Sequence, residues 1–507
     1  MKIKVIQGGI QTIAADAIIV NLFQGVSEPG GATGAVNRAL NGAIGELIAG
    51  GDARGALGET TVLYPRGAIP ARRVIVAGLG RADEFTLDGA REAAGAAIKA
   101  AQKVGAANVA TIVHGGGAGG LNPAAAAQAV VEASMLALYK YDAPRTKKED
   151  PTTPVESLTL VEFNESKLAA LKEGAQAGQI IAGAVYLART LVNQPSNVAT
   201  PEAIAQAAQT MAAEVGLRCR VLDEAQMRAE QMGALLAVTQ GATQPGKFII
   251  MEHKPPNLTD RAGPVVLVGK GIAFDTGGYS IKSRLTMPGM KGDMGGAAAV
   301  IGTMQAVARL QLPLHVVGLV PTVENVIGPN AYKPNDVFIA KNGVSIEIIS
   351  TDAEGRLILA DALCYAGTLN PALVIDVATL TGGKTTALGP RTNALFATDD
   401  TLADALIAAG KQTAEPLWRM PLDPAYDRQL KSDVADIKNT GGVKASPVTA
   451  ARFLANFVGN WPWAHLDIAG SEFYTGGPEH TPRSYVVKGA TGVPLRALVQ
   501  FLRRWKQ

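Results

Sequence analysis

The chain has 507 residues, of which 47% are hydrophobic and 18% charged, with a formal net charge of +3. That composition excludes a disordered chain, and so small a charge gives no electrostatic footprint for nucleic acid. At about 100–200 residues per domain, two domains are the first expectation. Cys219 and Cys364 are the only cysteines and stand in no metal-type spacing. A disulfide framework is therefore not expected, and a reducing, cytoplasmic compartment fits. The opening stretch, MKIKVIQGGIQTIAADAIIV, is interrupted by polar residues, so no signal peptide is expected. No apolar run reaches about 18 residues, so no membrane span is expected either.

Residues 1–150 read as an α/β unit. Apolar or alternating runs predict strands at Lys2–Gln7, Ala17–Asn21 and Arg73–Val76. Alanine-rich stretches predict helices at Gly89–Val104 and Pro123–Tyr139. The charged, proline-containing segment Ala143–Pro154 predicts a linker. A helix expected over Glu165–Asn193 connects it to the second half of the chain, so that residues 151–194 join the two halves. Thr200 is placed to cap a helix that begins at Pro201, with Glu202 at its positive end. Residues 195–507 then repeat strand, loop and helix. Strands are expected at Val265–Val268, Leu314–Leu319, Ser345–Ile349, Leu373–Val377 and Ala464–Ile468, and helices at Gly295–Leu310, Leu357–Leu369 and Val448–Phe457. Near-continuous apolar strands predict a sheet covered by helices on both faces.

Two clusters carry the chemistry. The first, VGKGIAFDTGGYSIKSRLTMPGMKGDMGGAAA over residues 268–299, opens at a strand end and closes on a helix start, where open α/β sheets place ligands. It holds Lys270, Asp275, Lys282, Lys291 and Asp293 among glycines that permit close backbone approach. The second, IISTDAEGRLILADAL over residues 348–363, alternates Asp352, Glu354 and Arg356. In extended chain these three side chains face one way. Carboxylates gathered in this number repel one another unless cations lie between them, and a metal pair about 3.5–4 Å apart answers that need. The histidines, His114, His253, His315, His465 and His480, form no zinc motif, and His465 reads as a core residue. Oxygen ligands suit manganese or magnesium and also zinc, and an amine ligand tilts the choice away from magnesium. Lys270 can ligate only when neutral.

The stretches GKGIAFDTGGYSIK, MKGDMGGAAAV and TDAEGRLILADAL resemble the leucyl aminopeptidase family, also called the cytosol aminopeptidases. LVNQPSN, DVATLTG, SDVADIKNTGG and WAHLDIAG extend the likeness over roughly residues 160–507, and the amino-terminal part resembles that family's macro-like domain more weakly. The resemblance implies two α/β domains, with catalysis in the second. It implies that Lys270, Asp275, Asp293 and Glu354 hold the more exchangeable of two divalent metals (manganese or zinc). Asp275, Asp352 and Glu354 would hold the other, with Asp275 and Glu354 bridging. Lys282 would polarise the scissile carbonyl. Arg356 would hold a bicarbonate ion as general base, and a metal-bridging hydroxide would attack. Met290, Thr379, Gly382, Ala469 and Glu472 would line the pocket for the first side chain, expected to be apolar, as in leucine. Glu472 is the odd member there. The implied assembly is a homohexamer whose sites face an inner cavity, which restricts substrates to short or unfolded peptides. Two positions depart from the family pattern: Ser350 stands where asparagine is usual, and Pro288 and Gly289 where acidic residues are common.

Two rival readings belong to other classes. Clustered carboxylates also serve a two-metal phosphoesterase. A macro-like first domain also suits a binding protein for nucleotide or nucleic acid.

Overall fold

The computed structural model describes residues 1–117, 119–146, 153–256, 258 and 263–505. Part of the linker expected at Ala143–Pro154 lies outside the described residues. The chain forms two compact units, Met1–Gly183 with Pro482–Val487, and Ala184–Thr481 with Lys488–Gln507.

In the amino-terminal unit a six-stranded sheet runs in the order Lys2–Gln7, Ser157–Glu162, Asn108–Thr111, Ala17–Leu22, Val74–Gly78, Thr60–Leu63. The first five strands are parallel and the last is antiparallel. Val74–Gly78 is buried at every position, as a strand covered on both faces must be. The helices Leu87–Lys103 and Pro123–Ala137 are capped by the side chains of Thr86 and Asn122. Ile18, Val20, Val36, Ile44, Val74 and Val76 form one core. The returning segment Pro482–Val487 is held within the same unit. Ser484 N–H donates to Glu92 Oε2 at 2.8 Å, and the hydroxyl of the fully buried Tyr485 donates to Asp88 Oδ1 at 2.5 Å.

The second unit is built on a mixed sheet in the order Leu417–Arg419, Asn393–Ala397, Trp463–Asp467, Leu373–Ala378, Val265–Gly269, Val316–Asn325, Lys247–His253, Arg218–Leu222, with Gly271–Asp275 paired to Val316–Asn325. Trp463–Asp467, Leu373–Ala378, Val265–Gly269 and Val316–Asn325 are mutually parallel, so their carboxyl ends open on the same side. The helices Gly295–Arg309 and Gly355–Gly367 are buried along most of their length. Thr200 caps the helix Pro201–Val215 as expected, its hydroxyl accepting from Ala203 N–H.

One expected strand differs. Ser345–Glu347 does not join the large sheet; it pairs with Val337–Ile339 and Ile437–Lys438 in a small sheet of its own. Residues 350–352 then turn, and Glu354 has right-handed helical angles (φ −77°, ψ −39°) at the start of Gly355–Gly367. Asp352, Glu354 and Arg356 therefore do not alternate along extended chain. A turn followed by the first helical residues places them instead. Among the described residues no helix is long and apolar enough to cross a membrane.

Candidate metal centre

Lys270 follows the strand Val265–Gly269, and its backbone is fixed on both sides: its N–H donates to Val377 O, and its carbonyl accepts from Ala297 N–H. Its ammonium is buried and donates to Asp293 Oδ1 at 2.6 Å and to Thr379 O at 2.8 Å, with Glu354 Oε1 at 3.0 Å. Burial opposes the charge of Lys270, but Asp293, Glu354 and Asp275 outweigh it and hold the amine protonated well above the usual lysine range. Gly355 completes this packing, because a Cβ there would collide with the Lys270 side chain.

Asp275 ends the strand Gly271–Asp275, and its carboxylate accepts from Gly277 N–H at 2.8 Å, closing a tight turn. Gly277 (φ +85°) and Gly278 (φ +62°) carry the left-handed backbone beyond it. Thr351 fastens that turn to the second cluster. Its hydroxyl donates to Gly277 O at 2.6 Å and accepts from Ser280 N–H at 2.7 Å. Asn325 donates to both Asp275 Oδ1 and Thr351 O, and Tyr332 also donates to Thr351 O. Lys282 reaches Asp275 Oδ2 at 2.8 Å and also pairs with Asp352. Burial works against the Lys282 charge, yet Asp275, Glu354 and Asp352 raise its affinity for the proton above the ordinary range.

The carboxylates of Asp275, Asp293 and Glu354 offer oxygens within 4.8 Å of one another, all three buried. Asp352 stands at the edge of this group, its side chain 38% exposed, and meets it through Lys282. Burial raises Asp275 to about 6, helped by Glu354 and opposed by Lys282 and Lys270. Burial also holds Asp293 well above the carboxylate range, against Lys270. Glu354 moves the other way: burial raises it, but Lys270 and Lys282 outweigh that and hold it ionised.

Two oxygens of the cluster, Asp293 Oδ2 and Glu354 Oε2, are buried without a hydrogen-bond partner among the described residues. Buried carboxylate oxygens are rarely left so, and a cation is a partner that would satisfy both. Hard oxygen donors with one amine fit a divalent metal. Arg356 offers a matching donor for an anion. Its Nη1 donates to Asn439 O at 2.8 Å, whereas its buried Nε has no acceptor among the described residues. Burial lowers Arg356 to about 10, against the pull of Glu354, Asp467 and Asp352.

Of the residues expected to meet the substrate, Met290 and Thr379 lie against Asp293. Met290 opens the short helix Met290–Met294 that carries Asp293, and Gly382 begins the helix Gly382–Leu388 with open space where a Cβ would be. The Thr379 hydroxyl donates to Asp293 Oδ1 at 2.6 Å. Glu472 packs beside Gly292 and Gly295. Burial pushes its carboxyl up to about 7, against Glu472's own backbone N–H and Lys384. Ser350 accepts from Asp352 N–H and supports that turn. Lys291 donates to Asn193 O at 2.6 Å. His465 is a core residue, its Nδ1 2.5 Å from Asp376 Oδ1.

Several supporting residues lie outside the two charged clusters. Asn325, Tyr332, Asn439 and Lys384 are all buried. Lys384 donates to Ser471 Oγ, Ala469 O and Gly389 O, and burial lowers it to about 8. The one available signal is a polar residue closing an apolar run, as Asn325 does in VVGLVPTVEN.

Residues 186–499 match the catalytic domain of the cytosol aminopeptidase family, and residues 19–148 match that family's N-terminal domain. A probable cytosol aminopeptidase of Geobacter sulfurreducens is 42% identical over 468 residues, 92% of each chain. One from Roseiflexus castenholzii is 39% identical over 508 residues, 100% of each chain. Among solved structures, the bottromycin maturation enzyme BotP in complex with Mn is 34% identical with a TM-score of 0.84, covering 97% of this chain and 99% of that one. A tomato leucine aminopeptidase mutant is 30% identical with a TM-score of 0.85, covering 99% and 96%. With both domains matched and relatives aligned along its whole length, the chain belongs to the cytosol aminopeptidase family.

Proposed function

We propose that this metal-dependent aminopeptidase removes the first residue of short peptides, with a preference for apolar side chains such as leucine. The observation that carries the reading is the buried cluster of Lys270, Asp275, Asp293 and Glu354 with Lys282 beside it. Two divalent ions, manganese or zinc, are assigned to it: Lys270, Asp275, Asp293 and Glu354 around one, and Asp275, Asp352 and Glu354 around the other. When bound, such ions supply Lewis acidity and acidify water.

The chain's own residues do the rest. Lys282 keeps a fixed positive charge between Asp275 and Asp352, where negative charge develops on the scissile carbonyl oxygen; preorganised charge of this kind is usually the largest catalytic term. Arg356, with Nε free among the described residues, holds an anion, assigned as bicarbonate, that accepts a proton. Thr379 and Lys270 fix the orientation of Asp293. Met290, Thr379 and Gly382 offer small or apolar surface to the substrate's first side chain. A homohexameric assembly and a cytoplasmic location complete the reading; the names of the relatives support the second of these. Hydrolysis of leucine p-nitroanilide beside a phosphate ester tests it, and turnover of the ester alone would replace it with a phosphoesterase.

Gly355→Ala probes the packing without touching a charge. The added methyl displaces the Lys270 side chain, which Asp293, Glu354 and Thr379 otherwise pin. A misplacement of this order is expected to lower kcat about 100-fold. Thermal stability should fall modestly, because the buried ammonium is forced off its ion-pair partners. A variant with full activity would mean that Lys270 is not held as described.

Proton linkage sets a second expectation. Asp275 is raised to about 6 when folded and metal-free, so the stability it contributes is present at low pH and lost as pH rises through that value. Metal binding needs ionised carboxylates and a neutral Lys270, so stabilisation by metal grows over the same range. The Tm difference between metal-loaded and chelated protein should therefore widen from about pH 5 to about pH 7.5. Differential scanning calorimetry checks this, and a gap that narrows with pH contradicts it.

A further inference from the structure

Glu472 lies beside the metal cluster, yet the chemistry above gives it no task. It stands between the strands Trp463–Asp467 and Phe473–Tyr474. Gly292 and Gly295, which bracket Asp293, make room for it. A Cβ on Gly295 would meet Glu472 Cβ at 3.1 Å, Ile468 Cδ1 at 3.6 Å and Thr379 Cγ2 at 3.6 Å. A Cβ on Gly292 would collide with the Phe473 ring and stand 3.4 Å from Glu472 Cγ. Glu472 therefore packs against the backbone that presents Asp293, beside the Thr379 methyl and among apolar neighbours.

A carboxylate in such surroundings needs a cation or several donors. Glu472 Oε2 is buried and has no hydrogen-bond partner among the described residues. Lys384 is the cation whose charge reaches it, but the Lys384 ammonium donates elsewhere: to Gly389 O at 3.0 Å, Ala469 O at 2.8 Å and Ser471 Oγ at 2.7 Å. Those bonds hold the segment that leads into Glu472, and the Glu472 carbonyl accepts from Thr491 N–H on its other side. Were Glu472 there only to hold this loop, Lys384 would be its natural counter-ion; the lysine bonds to neutral oxygens instead. Glu472 as a whole is only half-buried, as is Met290, so it is not sealed into the core. The result is a fixed carboxylate, unpaired and partly open, next to the surfaces assigned to the substrate's first side chain.

We propose that Glu472 is a specificity determinant that extends the first-residue range from apolar side chains to lysine and arginine, with their aliphatic stems along Met290 and the Thr379 methyl and their cationic ends at the Glu472 carboxylate. The inference rests on the aminopeptidase reading and deepens it. Lysine and arginine lay their stems on apolar surface while the charged head keeps a polar partner, so one slot serves leucine and lysine alike. Gly382, with open space where a Cβ would be, leaves room for the longer side chains. A substrate of the same length without the cation leaves the carboxylate unpaired, which is what gives a charged site its discrimination.

The test uses full-length, metal-loaded protein at about pH 8.5, where Glu472 is ionised and a substrate lysine is still charged. Lysine p-nitroanilide and norleucine p-nitroanilide share a stem and differ in the ammonium. In the parent, kcat/KM for lysine should equal or exceed that for norleucine. Glu472→Gln keeps the shape and removes the charge, and should lower the lysine-to-norleucine ratio about 10- to 100-fold. The ratio is read within each protein, so a loss of folded enzyme cancels, and a merely structural role would leave it unmoved. A ratio unchanged by the substitution overturns the proposal. So does an equal fall on both substrates, which would tie Glu472 to the amino group they share. Isothermal titration with lysinol and norleucinol, which are not hydrolysed, reports even on a protein without peptidase activity. Lysinol should bind about 10-fold tighter than norleucinol, and that margin should vanish in Glu472→Gln. Absence of turnover on every p-nitroanilide would refute the aminopeptidase reading, whereas equal binding of the two amino alcohols by the parent would refute the role of Glu472.

Discussion

Glu354→Gln, or Asp275→Asn, is expected to lower kcat by about 1,000-fold or more, since a metal's contribution to a charged transition state is several kcal/mol. Both substitutions preserve shape and remove one negative charge. Glu354 is the cluster's firmly ionised carboxylate, held so by Lys270 and Lys282 against the penalty of burial. An amide in its place leaves Lys270 with Asp293 as its closest carboxylate, at 2.6 Å, and offers a neutral oxygen where a bridging anion is assigned. Metal content measured after dialysis should fall along with activity. Chelation of the parent should abolish turnover, and manganese or zinc should restore it. A chelated parent protein that kept full activity would refute the assignment of metals here.

Lys282→Met should produce a different pattern. The variant loses a preorganised cation at the developing oxyanion, which typically costs about 100- to 1,000-fold in kcat. Removing an ammonium from between Asp275 and Asp352 leaves those carboxylates more negative, so metal affinity should hold or rise. The two substitutions are thus separable: one loses metal and rate together, the other loses rate alone. Parallel metal titration and kcat measurement on both variants decides the matter. Loss of metal from Lys282→Met would make that lysine a structural partner.

The acidic and basic members of the site are visible in the sequence because charged residues at the ends of apolar strands have few structural uses. Lys270 lies just past the expected strand, whereas Asp275 ends a second, unexpected strand, Gly271–Asp275. Asp352, Glu354 and Arg356 depart from their expected placement for a physical reason. Alternation over five residues suits extended chain, but the apolar run after Gly355 favours a helix, and a turn with a helix start gathers the same three side chains. Asn325 and Tyr332 stay invisible because neutral polar residues announce no chemistry, and their worth lies in distant partners: Asn325 joins Asp275 to Thr351 across the fold. The parallel strands of the first unit are partly readable, whereas the glycines and loops at their ends carry no periodic signal.

The segment Pro482–Val487 has a consequence for how the protein is made. It completes the amino-terminal unit, with Tyr485 buried there, yet roughly 300 residues of the other unit separate it from Gly183. A ribosome adds about 5–20 residues per second, so the first unit waits roughly 15–60 s for its last piece. During that interval Glu92 and Asp88 lack the Ser484 and Tyr485 groups that bond them in the finished fold. The unit first in synthesis is therefore among the last to be finished, and a nascent chain stalled before residue 482 carries an open seam that a chaperone or protease can read.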